Sequence, residues 1–327
     1  MIKGTALVVT YNSGRCVEAC LAALVSEPGW EVIVVDNASQ DDTLSRASRF
    51  AQRARIVPNS VNAGFSGGVN KGVGLANSDV LILVNPDAVA APGALDKMAE
   101  ALSSEGVGAV GGVLLLEGGR LQKGNMVRRF PTLARMLAEL LFLNNVWYRN
   151  PWNRSYRCLD FDYKRAQPIE SPAGACLAFR RAAWESVGGF DESFYPCWFE
   201  DVDFCCSVRK AGWNIVYEPS AVFSHEGAHS VRQLSFYKHK LFWYANMVRY
   251  FVKHHGRLQS WVLRAGITVG LLLRAVFSLF VPPDVGRWEA ASAYARVAWR
   301  CGILALESRS LAGLPRFVRR PIGSDGL

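Results

Sequence analysis

Through the first 116 residues, short apolar runs alternate with stretches of helical periodicity. Residues 6–10, 31–35, 55–57, 80–84 and 109–116 are rich in Val, Ile and Leu and end in polar or turn residues. Their near-continuous hydrophobicity predicts strands buried on both faces. Residues 14–26, 41–53, 66–76 and 92–104 read as helices between them, with Asp41-Asp42-Thr43 and Pro92-Gly93 as start signals. This alternation predicts an α/β fold, a mostly parallel central sheet with helices on both faces. Residues 117–170 depart from it. An apolar stretch at 133–147, predicted helical, is followed by aromatic and basic residues at 148–157. This insertion reads either as a surface excursion over the apolar stretch or as an acceptor or membrane contact. The pattern resumes with a strand at 174–179, a helix at 181–187, an acidic helix start in a helix at 198–211, and a strand at 214–217.

After Ser230 the chain reads as helical, basic and aromatic. Residues 261–281 form a 21-residue apolar run interrupted by Arg264 and Arg274. Its length suits a bilayer span. Two arginines well inside the run make spanning costly. Because they share one face at helical spacing, an in-plane amphipathic helix is the preferred reading, with a spanning helix or a packed core helix as the alternatives.

Composition sharpens the division. Half of the 327 residues are hydrophobic, enough for a sizeable core. The net charge of +9 lies entirely in the last third. Residues 1–229 carry 22 Lys/Arg against 24 Asp/Glu, whereas 230–327 carry 15 against 4. Such asymmetry points to an anionic partner for the tail, membrane lipid or nucleic acid. The expected organisation is a domain at 1–229, with halves at 1–116 and 117–229, followed by a basic helical region at 230–327. Eight cysteines show neither a CxxC pair nor metal-finger spacing, which predicts free thiols in a reducing compartment. The chain enters its first strand directly, and no secretory leader is expected.

Candidate chemistry gathers where strands end. Thr10-Tyr11-Asn12 follows the first strand and Asp36-Asn37-Ala38-Ser39 the second. Parallel neighbours would bring these ends to one sheet edge, where Asp and Asn can bond a nucleobase and ribose. Helix capping by Ser39 and Asp41 is the plainer alternative. The segment from Asn62 through Gly64, Phe65 and Asn70 to Gly72 is glycine-rich but does not fit GxGxxG, so spacing alone predicts a ligand-free flexible loop. Asn85-Pro86-Asp87 closes the fourth strand. Asp87 there can hold Mg²⁺ or Mn²⁺ on a diphosphate, or can simply form an Asx turn. Glu200 and Asp201 stand at a helix start, where the dipole favours ionised carboxylates. One of them can serve as a general base. His225 and His229 follow a predicted turn at Glu218-Pro219, and no role is expected for His229.

Taken in order, Val9–Ser13, Val34–Ser39, Asn62–Phe65, Asn85–Asp87, Gly188–Glu192, Glu200–Asp203 and His225 before Gly227 resemble glycosyltransferase family 2, in particular its bacterial rhamnosyltransferase-like members. The resemblance covers residues 3–230. It implies a GT-A fold, a dTDP- or UDP-sugar donor such as dTDP-L-rhamnose, a divalent metal (Mg²⁺ or Mn²⁺) and an inverting mechanism. The family's DxD motif is present as Asn85-Pro86-Asp87, with one carboxylate instead of two. Asp201 matches the catalytic base, with Glu200 beside it, and His225 matches a position that completes the metal site. Thr10, Asp36, Asn37 and Asn62 match the nucleotide pocket; Tyr11, Asn12, Gly64, Phe65, Asn70 and Asn85 are assigned to donor binding with them. The acceptor implied is a cell-surface glycan or a polyprenyl-linked one. With the tail on anionic lipid, the expected location is peripheral, on the cytoplasmic face of the plasma membrane, with no nucleic-acid partner. The alternatives are a nucleotidyltransferase, which would want a basic glycine-rich loop near the first strand, and a non-catalytic adaptor on a degenerate transferase fold.

Overall fold

The computed structural model describes residues 2–227, 234–281 and 284–303; His229 and the basic stretch at 304–327 lie outside them. The first half runs β1 (Gly4–Thr10), α1 (Val17–Ser26), β2 (Trp30–Asp36), α2 (Thr43–Ser48), β3 (Arg55–Pro58), α3 (Gly64–Leu75), β4 (Val80–Val84), β5 (Ala88–Ala90), α4 (Ala94–Ser103) and β6 (Val107–Leu116). The insertion holds β7 (Arg120–Leu121), β8 (Val127–Arg128), α5 (Leu133–Leu140), α6 (Leu143–Val146), α7 (Pro151–Tyr156), β9 (Gln167–Pro168) and β10 (Ser171–Pro172). Then follow β11 (Cys176–Arg180), α8 (Arg181–Ser186), α9 (Glu200–Lys210), β12 (Asn214–His225), α10 (Phe236–His254), α11 (Gly256–Phe277) and α12 (Arg287–Val297).

The main sheet has the order β3-β2-β1-β4-β11-β6-β12-β5. Its β3-β2-β1-β4 half is parallel, and register places Thr10 directly beside Asp36. The other half is mixed: β11 runs antiparallel between β4 and β6, while β12 is parallel to β6 and antiparallel to β5. Buried Val, Ile and Leu from β1, β2, β4 and β6 form the main core with α1, α3 and α4.

Several local expectations change. From Gly64 the glycine-rich segment is helix α3, as the periodicity at 66–76 predicts, and not the flexible loop its glycine spacing alone suggests. Its glycines serve packing: a Cβ at Gly68 would lie 2.6 Å from a Val9 methyl and one at Gly72 3.2 Å from a Leu7 methyl. Removing side chains lets the helix lie close on β1, and this outweighs glycine's poor helix propensity. The predicted helix at 133–147 breaks into α5 and α6 at Phe142, which is left-handed at φ 63°. The strand at 214–217 continues through an irregularity between Tyr217 and Val222 to His225, so Glu218-Pro219 does not end it. The acidic helix starts at Glu200 rather than at Trp198.

A second apolar cluster joins α10, α11 and residues of α12 to α5 and α9, with Tyr250, Phe251, Leu263, Ile267 and Leu271 at its centre. Polar contacts anchor α10. Asn246 donates to the carbonyls of Tyr195 and Cys197, Lys253 bridges Asp191 and Asp203, and His254 Nε2 lies 2.7 Å from Asp203.

Helix α11 inverts the expected amphipathicity. Its arginine face points inward: Arg264 is 4% exposed, and Arg274 donates to the carbonyls of Glu139 and Leu140 at the end of α5. Those carbonyls lack intrahelical partners, so a guanidinium there satisfies them and complements the helix dipole. Close approach is possible because Gly270 faces the Leu140 carbonyl, where a Cβ would sit 2.5 Å away. The outward face is the apolar one.

Candidate functional site

The Asn85-Pro86-Asp87 turn is a real turn, with Ala88 N–H donating to the Asn85 carbonyl. It also holds Asp87, 7% exposed, against the far side of the sheet. Antiparallel pairing of β12 with β5 sets His225 opposite Ala88. The result is a buried pair, with His225 Nε2 3.3 Å from Asp87 Oδ1. On the other side of the ring, Nδ1 lies 3.0 Å from Gln122 Oε1. With Nδ1–H donating to that amide oxygen, the lone pair of Nε2 points toward the aspartate. Nε2 is buried and makes no hydrogen bond to the protein. A carboxylate oxygen and an imidazole lone pair converging on one gap is a donor set that fits a divalent cation. Among the described residues no third acidic, His or Cys ligand joins them, which suits a metal that takes its remaining oxygens from phosphate and water.

Glu200 and Asp201 open α9. The two preceding residues, Trp198 and Phe199, are both left-handed, at φ 77° and 69°. Bulky residues hold such conformations at a cost of about 1–3 kcal/mol each. Asp201, partly open to the cavity, accepts from Gly174 N–H at 3.0 Å through Oδ2 and from Val202 N–H at 2.8 Å through Oδ1. Burial pushes its carboxyl up, and those two N–H groups with Arg128 pull against that rise. Glu200 is more enclosed, with one buried carboxyl oxygen lacking a hydrogen bond. Burial first, and Asp201 second, raise its carboxyl well above the ordinary glutamate range. Of the two, Asp201 is therefore the group better kept as a carboxylate at neutral pH.

A cavity of about 420 Å³ connects these groups. Asn85, Asp87, His225, Glu200, Asp201 and Phe65 all line it. Its lining also includes Arg128, Tyr156, Trp198, His239 and Trp243. None of those five was singled out from sequence as a site residue. The available signals were the aromatic and basic run ending near Tyr156, the Trp-Phe pair directly before Glu200-Asp201, and the four-residue spacing of His239 and Trp243.

The remaining predicted donor residues sit at the carboxyl ends of β1 and β2 and at the start of α3. Asp36 accepts from Thr10 Oγ1 at 2.8 Å and from both the backbone and side chain of Ser39. Asn12, at φ 47°, accepts from Gln40 N–H, and Tyr11 adjoins it. Asn37 donates to the Gly64 carbonyl and accepts from Asn59, while Asn62 accepts from Gly64 N–H. These residues form one hydrogen-bonded edge but do not line the 420 Å³ cavity. Asn70 stands apart: its amide both donates to the Phe190 carbonyl and accepts from Phe190 N–H. It ties α3 to the Gly189–Glu192 turn.

A mixed α/β sheet with an acidic turn at the exit of β4, and the carboxylates of Glu200 and Asp201 lining the same cavity as that turn, is the arrangement of a GT-A glycosyltransferase. Comparisons agree with this architecture. Residues 5–188 match the family described as "Glycosyl transferase family 2", and residues 147–305 match "Glycosyl transferase family group 2". The chain belongs to glycosyltransferase family 2 and is a glycosyltransferase. It is 34% identical, over 68% of its length and 76% of the relative's, to an N-acetylglucosaminyl-diphospho-decaprenol L-rhamnosyltransferase of Mycobacterium tuberculosis. Among solved structures it is similar to the mannosyltransferase PcManGT from Pyrobaculum calidifontis in complex with GDP-Man and Mn²⁺. The TM-score is 0.53 at 18% identity, covering 90% of this chain and 85% of that one. It is also similar to S. aureus TarS 1–349 in complex with UDP-GlcNAc, with a TM-score of 0.51 at 15% identity over 91% and 90% of the two chains. These structural likenesses concern the fold. The family assignment sets aside the nucleotidyltransferase and adaptor alternatives.

Proposed function

We propose that this enzyme transfers L-rhamnose from dTDP-L-rhamnose to a polyprenyl-linked glycan, by a metal-assisted, inverting single displacement. The observation that carries the chemistry is that Asp201 lines the same cavity as the Asp87–His225 pair. The observation that carries the sugar and the acceptor is the 34% identity to the mycobacterial rhamnosyltransferase.

In this reading Asp87 and His225 hold a divalent cation. When bound, such a cation neutralises charge on the departing nucleoside diphosphate. Gln122 keeps His225 in the tautomer whose Nε2 can ligate. Thr10, Asp36, Asn37 and Asn62, with Tyr11, Asn12, Gly64 and Phe65, receive the nucleoside at the β1–β2 edge, and Asn85 adjoins the diphosphate. Asp201 takes the proton of the acceptor hydroxyl as that oxygen attacks the anomeric carbon. The carbon–diphosphate bond breaks on the opposite face, so no enzyme nucleophile is required. Holding both substrates in line supplies a large share of the rate enhancement. Burial, which pushes the Glu200 carboxyl well above the ordinary glutamate range, disfavours a second full negative charge beside Asp201. A screen of nucleotide sugars by thermal shift with Mn²⁺ or Mg²⁺ tests the donor. A ligand at 100 times its dissociation constant adds about 2.7 kcal/mol of stability. The expected result is a metal-dependent rise in Tm with dTDP-L-rhamnose; a rise with UDP- or GDP-sugars only would reject this donor.

We also propose that the protein lies on anionic membrane with α11 in the plane. Leu273, Val276, Phe277 and Phe280 are each at least half exposed, as are Val146, Trp147 and Tyr148 of the insertion. Contact of Phe142 with Phe277 links the two sets. The opposite face of α11 is buried on α5 and α10, so it is not available to lipid as in a lone spanning helix. Each basic residue near an anionic surface contributes about 1 kcal/mol. The expected outcome is flotation of the full chain with anionic vesicles, released by high salt or carbonate, and its loss in a Leu273→Glu, Phe277→Glu double variant. Equal flotation of the double variant would contradict this surface.

A further inference from the structure

Helix α10 lies beyond the ordered motifs of residues 3–230, yet it builds a wall of the active-site cavity. His239 and Trp243 stand one helical turn apart and both line it. Facing them is Trp198, whose indole meets the Trp243 ring edge-on at 5.9 Å and the His239 ring at 4.8 Å. Phe199 backs Trp243 at 5.3 Å. Trp198 and Trp243 are only partly buried, so indole surface remains open to the cavity.

The aromatic wall is held in place. Asn246, fully buried one turn after Trp243, donates to the carbonyls of Tyr195 and Cys197, on the loop that carries Trp198. Arg249 in turn donates to Asn246 Oδ1 at 2.7 Å. The same loop receives Phe65 N–H on the Pro196 carbonyl, tying it to the donor side. One clamp therefore sets the indoles relative to both α10 and the residues just before Glu200 and Asp201. Burial pushes the His239 imidazole down to about 4, so the wall carries no charge there at neutral pH.

A flat, uncharged aromatic surface beside a base suits a ring with one apolar C–H face and polar edges, which describes a pyranose. It suits a diphosphate poorly, because Trp198, Trp243 and the neutral His239 offer it no cation, and Arg128, which also lines the cavity, sits over the Tyr156 ring. We propose that Trp198 and Trp243, with His239, form the acceptor-sugar subsite, on which the hexopyranose that receives the transferred sugar stacks with its hydroxyl toward Asp201. This rests on the glycan acceptor proposed above. It adds that α10, outside the motif-bearing segment, selects the acceptor.

The test compares full-length wild type, Trp243→Ala and Trp243→Phe. With saturating donor and a short-chain prenyl-diphosphate N-acetylglucosamine as acceptor, Trp243→Ala should raise the acceptor KM about tenfold or more. Trp243→Phe should restore most of the loss. Donor affinity and slow donor hydrolysis without acceptor should stay within twofold of wild type in both. An unchanged acceptor KM, or an equal fall in donor hydrolysis, would overturn the subsite and leave Trp243 a packing residue. If wild type hydrolyses donor but glycosylates no such lipid, the acceptor reading is what fails. The subsite is then read by quenching of tryptophan fluorescence with free hexoses, and absence of any saturable quenching that Trp243→Ala removes would overturn it as well.

Discussion

Replacing Asp201 with Asn should lower transfer by about 10²–10⁴-fold, the usual cost of losing a general base. Donor affinity should hold, because the proposed contacts to the metal and diphosphate are Asp87 and His225 rather than Asp201. The carboxylate accepts two backbone N–H groups, from Gly174 and Val202. An amide can accept only one of them, so a modest drop in Tm is also expected and should be measured alongside. The pH profile offers an independent check. Burial raises the Asp201 carboxyl. The base must be deprotonated to act, so wild-type activity should fall as pH drops through a value above the ordinary aspartate figure of about 3.9. That acid limb should be absent from the residual activity of Asp201→Asn. Turnover near wild type in a folded Asp201→Asn protein would remove Asp201 from the reaction.

Replacing Asp87 with Ala should reduce metal-dependent donor affinity by more than about tenfold, since even outer partners of metal ligands commonly carry effects of 10–100-fold. The neighbouring position is Asn85 rather than a second carboxylate, and no third acidic, His or Cys ligand stands near the pair among the described residues. Nothing is therefore placed to substitute. Calorimetric titration of nucleoside diphosphate with and without Mn²⁺ separates this from a folding defect: the metal-dependent increment should vanish while weak metal-independent binding remains. If Asp87→Ala keeps the full increment, Asp87 only shapes the turn.

Much of this was readable along the chain, and the limits have physical causes. The strands of the first half were legible because burial on both faces leaves uninterrupted apolar runs. From them the meeting of Thr10 with Asp36 at one sheet edge followed. Asp87 was legible as a turn residue at the exit of a buried strand. Its pairing with His225 was not legible from spacing, because 138 positions separate them and only the β12–β5 register brings them together. Periodicity made helix α3 legible at 66–76, but its glycines alone signalled a loop, because glycine marks both loops and close packing, and the Val9 and Leu7 methyls that decide the matter lie on another element. The arginine face of α11 was legible as a face, but periodicity does not say what covers it; the carbonyls of α5 do. His239 and Trp243 were invisible for the same reason, since only the packing of α10 carries them to Asp201's cavity.

The reaction proposed for this enzyme is a single displacement of L-rhamnose onto a lipid-linked sugar. The most direct measurement is NMR of the product formed by the purified enzyme from dTDP-L-rhamnose, Mn²⁺ and a short-chain prenyl-diphosphate N-acetylglucosamine. The expected product carries one new rhamnosyl linkage whose anomeric configuration is opposite to that of the donor, formed only when the divalent metal is present. A product with the donor's configuration retained, or formed equally well in chelator, would contradict it.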